Sequence, residues 1–208
     1  MKRTACLLAL PLVALLGFFA WHLPMRGPLT DPEIDAFLAG QTAGGGLGWT
    51  DTAAFEAFLR EDDGHPFVMI NLMELRGAAI YPEGLASKAA TGADAAAAYG
   101  QAVLPLLLKR GSYPLARAER SQTIINSLGQ SAGAFESLVM VRYRSRRDLI
   151  DMLASDAFRT ASVHKWASLK NTLVAPAHEM SSFQLIGYLP LILLCIAALA
   201  GLGLFRRR

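Results

Sequence analysis

Residues 66–75 read PFVMINLMEL, the longest apolar run outside the two chain ends, with the polar side chain of Asn71 in its middle and Glu74 near its end. Successive side chains of a strand point to opposite faces, so Val68 and Leu72 would share one face and Asn71 the other. A strand that is apolar on both faces belongs inside a sheet that is covered on both sides. We therefore predict that this run is the central strand of a folded domain, and Asn71 is the first candidate for a functional role.

The two chain ends carry most of the excess apolar content. Hydrophobic residues make up 53% of the 208 residues, and residues 5–21 and 183–205 contain no charge. A spanning helix needs about 17 to 25 apolar residues. The sequence therefore predicts a transmembrane helix at each of these two ranges. The alternative for the first is a signal peptide cleaved after Ala20, although no small-x-small cleavage site closes the run.

Basic residues flank both apolar runs. Lys2 and Arg3 precede the first, and residues 206–208 are all arginine. Because cytoplasmic flanks are enriched in Lys and Arg, we expect both termini in the cytoplasm, the intervening domain on the extracytoplasmic side, and a multi-pass location in the inner membrane.

Charge and cysteine content argue against two classes of function. The flanks hold five of the 20 basic residues, which leaves 15 against 17 acidic residues in the middle of the chain. Such a domain is slightly acidic, so no nucleic-acid surface is expected. Cys6 and Cys195 both lie in the apolar ends, and the four histidines show no ligand spacing, so no metal site is expected either.

Residues 22–64 are predicted to be a linker with two short helices. Thr30 and Glu33 form a capping box, which predicts a helix over residues 31–38. Thr50 or Thr52 would cap a second helix ending at Arg60. The glycine-rich residues 40–48 lack the Gly-Lys-Ser/Thr ending of a phosphate loop and are interpreted as a flexible joint.

Residues 65–178 are predicted to be the folded domain. Its elements alternate in the order strand, helix, strand, strand, helix, strand, which is typical of a ferredoxin-like α+β fold with an antiparallel sheet and both helices on one face. The predicted elements after the central strand are a helix over 91–110, an edge strand over 112–120, a strand over 135–143, helices from Ser145 and from Asp156, and a last strand over 171–175 stopped by Pro176.

Several segments of this domain resemble the dimeric α/β-barrel superfamily, and within it a small family of unknown function. The segments are MINLMELR, YPEG, AYGQAVLPLLLKRG, FESLVMVRYRSRRDLIDML and SDAFRTASVHKWASLKN. The resemblance covers about residues 66–176 and implies a homodimer whose open sheet faces pack together, with a pocket for a small apolar ligand in each subunit. The residues give an independent reason to expect a dimer, because the apolar sheet face that the helices do not reach needs another surface to cover it.

Relatives in that superfamily include haem-degrading monooxygenases, cofactor-free monooxygenases and isomerases. The haem-degrading members resemble the chain in having an asparagine in the first strand, which Asn71 matches. Their iron-binding histidine falls on Ser162, and their pocket tryptophan on Met152. His164 lies about 200° around the helix from Ser162 and should point elsewhere. No cofactor is therefore expected, haem included.

The candidate catalytic residues are Asn71 and His164, the latter because an imidazole titrates in the range useful for a general base. The candidate ligand-binding residues share polar or aromatic side chains near the predicted sheet: Asn71, Glu74, Arg76, Tyr81, Tyr99 and Tyr143. Each also has a purely structural interpretation. Asn71 could bond the backbone, Glu74 and Arg76 could form an ion pair at the sheet rim, the tyrosines could be core residues, and His164 could lie at the surface.

Three functions stay open from the sequence. The first is a membrane-tethered, dimeric small-ligand domain without turnover. The second is a cofactor-free monooxygenase or isomerase of small hydrophobic or aromatic compounds. The third is a platform on which the two predicted spans assemble with other membrane proteins.

Overall fold

The computed structural model describes residues 13, 15–43, 50–85, 89–121 and 135–178. The chain divides into two compact units, residues 1–178 and 179–208, and the described residues all belong to the first. The described residues exclude residues 44–48 of the glycine-rich joint and the whole predicted span 183–205.

The described residues form an α+β domain around one four-stranded antiparallel sheet. The strand order is β2-β3-β1-β4, so the apolar run that was predicted to be central lies between two neighbours. Asn71 lies opposite Val139 on β3 and Val174 on β4. The elements are α1 (Asp31–Ala43), α2 (Thr52–Arg60), β1 (Phe67–Leu75), α3 (Gly92–Leu108), β2 (Tyr113–Glu119), β3 (Ser137–Tyr143), α4 (Arg146–Leu153), α5 (Asp156–Ser168) and β4 (Leu169–Ala177).

Side-chain caps determine where the helices around the sheet begin. Thr91, Ser145 and Ser155 each accept a hydrogen bond from the backbone N–H three residues ahead, at the starts of α3, α4 and α5. Such a bond satisfies a backbone donor that has no partner within the helix. Gly111, with a φ of 66°, follows α3 and allows the chain to turn into β2.

Several element boundaries differ from the prediction: α1 continues to Ala43 instead of ending at residue 38, and β4 begins at Leu169 instead of residue 171. Asp51, rather than Thr50 or Thr52, caps α2 by accepting a hydrogen bond from the Ala54 N–H. β4 runs through Pro176, where the sequence predicted that the strand would stop. Because β4 is an edge strand, a residue without an N–H is tolerated there.

The main core lies between the sheet and helices α3 and α4. It contains buried apolar side chains from both layers: Phe67, Val103, Leu107, Val141, Leu149 and Met152. A second cluster joins Ile34 of α1 and Leu59 of α2 to Ile150 of α4. The segment predicted as a linker therefore packs α1 and α2 against the domain.

No helix among the described residues is long and apolar enough to cross a membrane. As far as the described residues extend, this finding contradicts the predicted flanking transmembrane helices, the inner-membrane location and the orientation derived from them, while the range 183–205 itself lies outside the described residues. In the described part of the first run, residues 15–22 are helical, and the end of this helix is bonded to the domain. The Trp21 Nε1–H donates to the Leu108 carbonyl at 2.6 Å, and Arg144 donates to the Trp21 carbonyl at 3.2 Å.

Candidate functional site

A cavity of about 1010 Å³ lies between the sheet and the helices of the domain. The sheet contributes Met69, Asn71 and Val139, which share one face because each pair of opposed residues points to the same side. Helices α3 and α4 contribute apolar walls, and α5 contributes most of the polar ones. The α3, α4 and α5 residues that line it include Tyr99, Val103, Leu107, Leu149, Met152, Phe158, Arg159, Ser162, Lys165 and Trp166.

Asn71 lines this cavity and is also bonded to the sheet. Its side-chain N–H groups donate to the carbonyls of Met69, at 3.2 Å, and Val139, at 3.3 Å. Because both partners are carbonyl acceptors, the Asn71 nitrogen rather than its oxygen must face them, and this assigns which end of the amide is Nδ2. The Asn71 Oδ1 accepts no hydrogen bond from the described residues and is available to a donor in the cavity. Asn71 is therefore both an amide bonded to the backbone and a part of the cavity lining.

Lys165 brings a positive charge to the cavity wall. Its Nζ lies 5.9 Å from the centroid of the Tyr99 ring and 5.3 Å from that of Trp166. Among the described residues no carboxylate pairs with it. Desolvation lowers the pKa of Lys165, because burial penalises the charged form of an amine.

Tyr99 and Tyr143 line the same cavity. Burial raises the pKa of Tyr99 to about 12. Burial also raises the pKa of Tyr143, and the neighbouring Tyr99 raises it further, so both phenols stay protonated near neutral pH. The Tyr143 ring stacks on Phe67 with centroids 5.2 Å apart, while neither hydroxyl has a hydrogen-bond partner in the described part of the chain.

The histidine candidate lies elsewhere. The Tyr81 hydroxyl and His164 Nδ1 are 2.8 Å apart, and neither residue belongs to the cavity lining. Ser162, two residues earlier on α5, does line the cavity. The structure therefore separates Tyr81 and His164 from the site that contains Asn71, Tyr99 and Tyr143.

Glu74 and Arg76 also lie outside the lining. Glu74 is 8% exposed and pairs with Lys170 of β4 at 2.6 Å, not with Arg76. The Arg76 Nε is buried without a hydrogen-bond partner among the described residues. Its backbone N–H donates to the Ser168 carbonyl, and its carbonyl accepts from the Gly92 N–H, so the Arg76 backbone joins the ends of α5 and β1 to the start of α3.

The described lining contains no histidine, and the described residues hold no cluster of three or more histidine, cysteine or acidic side chains that could bind a metal. The histidine that binds iron in the haem-degrading enzymes has no equivalent in the described lining.

Lys165 is the site residue that the sequence analysis missed. Counting from Phe158, positions 161, 162 and 165 recur at the three- and four-residue spacing of one helix face. Phe158 packs on the core and Ala161 is buried, so this spacing places Lys165 on the inward face of α5. This helical spacing is the sequence signal that could have identified Lys165 as an inward-facing residue.

Neither a family model nor a curated protein matches the chain. Two solved structures of the RPA0582 protein from Rhodopseudomonas palustris, one described as a protein of unknown function and one of its methylated form, are similar in fold. They share 22% and 23% identity with this chain, with TM-scores of 0.55 and 0.56, and the matches cover 64–65% of this chain and 96% of that protein. This likeness shows the fold of the chain, an α+β domain with a four-stranded antiparallel sheet.

Proposed function

We propose that this domain binds a small, largely apolar molecule in the cavity between its sheet and its helices. The observation that carries the proposal is the cavity itself. Its volume of about 1010 Å³ lies at the upper end of the range of about 300–1,000 Å³ usual for ligand pockets. Apolar walls with a few convergent polar groups, here Asn71, Tyr99 and Lys165, are typical of such pockets.

A filled-cavity variant tests this proposal. The neutral fluorescent probe N-phenyl-1-naphthylamine should bind the wild-type chain, because its two aromatic rings match the apolar walls. Ser162→Phe should abolish that binding, since the new ring enters the cavity from the inward face of α5. The matched control is His164→Phe, the same substitution two residues away and outside the lining, which should leave probe affinity unchanged. Equal binding by both variants would contradict the proposal.

We further infer that the chain forms a homodimer through the second sheet face. The middle of that face is apolar, with Ile70, Leu72, Ala116, Ala118, Leu138, Met140, Leu173 and Ala175 opposed across the strands, whereas its two ends carry Arg142 and Glu74. Leu173 is 48% exposed, and a contiguous apolar surface of this kind is usual for an interface between subunits.

Light scattering coupled to size exclusion measures the mass in solution. A charge on the exposed edge strand of the apolar face, in Leu173→Glu, should convert the dimer to a monomer. Ile80→Glu places the same charge on an apolar loop side chain that is 60% exposed and should leave the mass unchanged. A monomeric wild-type chain would refute the dimer and leave the ligand proposal intact.

A cofactor-free monooxygenase or isomerase is the second candidate function. It is favoured by the convergence of Asn71, Tyr99 and Tyr143, since an amide and two protonated phenols can orient a substrate by hydrogen bonds and a phenol can donate a proton to it. His164 no longer supports this candidate because it lies outside the lining. Asn71→Ala should abolish turnover of an aromatic substrate, followed by oxygen consumption or by product formation. Unchanged turnover in this variant would exclude the mechanism.

A further inference from the structure

We propose that the cavity selects amphiphilic monocarboxylates, with the carboxylate bound by the Lys165 ammonium and the tyrosine hydroxyls and the apolar body lying along the walls of α3 and α4. This inference rests on the proposed function and names its ligand class.

The first observation is that Lys165 has no anionic partner in the described part of the chain. Lys165 is partly buried, and a charge held away from water normally has a partner, because losing hydration without one is costly. The described residues offer Lys165 two aromatic rings, at 5.3 and 5.9 Å, and no carboxylate. Those rings favour the charged form, but they leave the hydrogen-bond capacity of an ammonium unused. An anionic ligand group would supply the missing partner.

The second observation is the charge balance of the lining. The other charged residues that line the cavity are each engaged elsewhere. Arg117 pairs with Glu119 and Arg159 pairs with Asp156, while Asp51 accepts the hydrogen bond that caps α2. Lys165 is therefore the single basic residue of the described lining without an ion pair, while the Asp51 carboxylate is held only by the α2 cap. One uncompensated positive charge matches a monoanion better than a phosphate, which carries more charge.

The third observation is the set of free hydrogen-bonding groups near this charge. The Lys165 Nζ lies 5.9 Å from the centroid of the Tyr99 ring, and Tyr99 and Tyr143 line the same cavity. Both hydroxyls lack partners among the described residues and are protonated donors near neutral pH. A carboxylate has two oxygens that accept several hydrogen bonds, so it can use the ammonium and a phenol together.

The remaining walls accommodate an apolar body. Val103, Leu107, Val141, Leu149 and Met152 are all buried core residues that line the cavity. Their packing leaves a space bounded by hydrocarbon and aromatic groups, where a polar ligand body would lose its hydration without compensation. An alkyl or aryl chain gains from the same burial.

Decanoate and 1-decanol test the proposal, because they share an apolar chain and differ in the charge of the head group. Both are titrated against the full-length chain by displacement of N-phenyl-1-naphthylamine. Wild type should prefer decanoate. Lys165→Met should weaken decanoate binding about 10- to 100-fold, the range expected for loss of a charged hydrogen bond, and leave decanol binding unchanged. Lys165→Arg should retain the preference for decanoate.

The controls separate the two proposals. Lys109→Met removes an exposed lysine at the end of α3 and should change neither affinity. Retained decanol binding by Lys165→Met also shows that this variant is folded. Equal affinities of wild type for the two probes, or an unchanged preference in Lys165→Met, would overturn the carboxylate assignment and leave the ligand-binding function standing. Failure of wild type to bind the dye and decanol would overturn both.

Discussion

Gly111→Ala should destabilise the protein by about 2–5 kcal/mol, and its contacts give this magnitude. Gly111 has a φ of 66°, a conformation that costs a residue with a Cβ about 1–2 kcal/mol. A Cβ at this position would also lie 2.1 Å from the Trp21 carbonyl oxygen and 2.9 Å from Cδ of Arg144. The segment around Trp21 must then move away and lose its bonds to Leu108 and Arg144, each contributing about 0.5–1.5 kcal/mol.

Urea denaturation of the full-length chain, followed by tryptophan fluorescence, measures this loss. Gly84→Ala is the matched control because Gly84 has a φ of 80°, yet a Cβ on this residue would meet no described atom within 4 Å. The control should cost only the conformational term, about 1–2 kcal/mol. Equal losses in the two variants would refute the reasoning, since they would show that the Trp21 segment contributes nothing to stability.

Three further predictions concern the α4 cap and the Tyr81 pair. Asp148→Asn should destabilise the fold by about 2–4 kcal/mol in urea denaturation, because the 3%-exposed Asp148 carboxylate accepts hydrogen bonds from Arg144 at 2.7 and 2.8 Å. The control Asp94→Asn, at the exposed cap of α3, should cost less than about 1 kcal/mol. Burial opposes the ionised form of Asp148, but hydrogen bonds from Arg144 and Ser145 outweigh burial and lower the pKa of Asp148. The stability that this carboxylate contributes is therefore present above about pH 4 and is lost as the pH falls further. Asp148→Asn should flatten this acid dependence of the urea midpoint. Tyr81→Phe should leave probe affinity unchanged in the displacement assay, since the hydroxyl bonds His164 outside the cavity, and weakened binding would contradict that placement.

The sequence was a good guide to the sheet because its local signals agree with the tertiary structure. A two-faced apolar run predicted the central strand, and the helix starts predicted at residue 91, Ser145 and Asp156 agree with those of α3, α4 and α5 to within one residue. Pro176 was misread because proline ends a central strand but not an edge strand, and edge position depends on the strand order. The strand order becomes known only when the sheet is assembled.

The apolar ends illustrate the opposite case. Hydropathy records how strongly a segment avoids water, and it does not identify what the segment is buried against. The described end of the first run finds its partners in the domain, where Trp21 stacks on Tyr113 with ring centroids 5.8 Å apart. Those partners lie about 90 residues away in the sequence, so no local pattern could reveal them.

The candidate site was only partly predictable. Asn71, Tyr99 and Tyr143 were identified by residue type and converge on one cavity, whereas Tyr81 and His164 pair outside it. Lys165 was overlooked because a lysine normally marks a solvated helix face. Its inward orientation follows from the packing of Phe158 and from the neighbours on α5.

Both edge strands of the sheet contain a proline, Pro114 in β2 and Pro176 in β4. An edge strand exposes backbone groups that can recruit a strand from another molecule, and a proline removes one donor and resists such extension. The sheet is therefore poorly suited to growing sideways into a fibril. Association of two copies through the flat apolar face would end after one partner, which favours a closed assembly over an open-ended one.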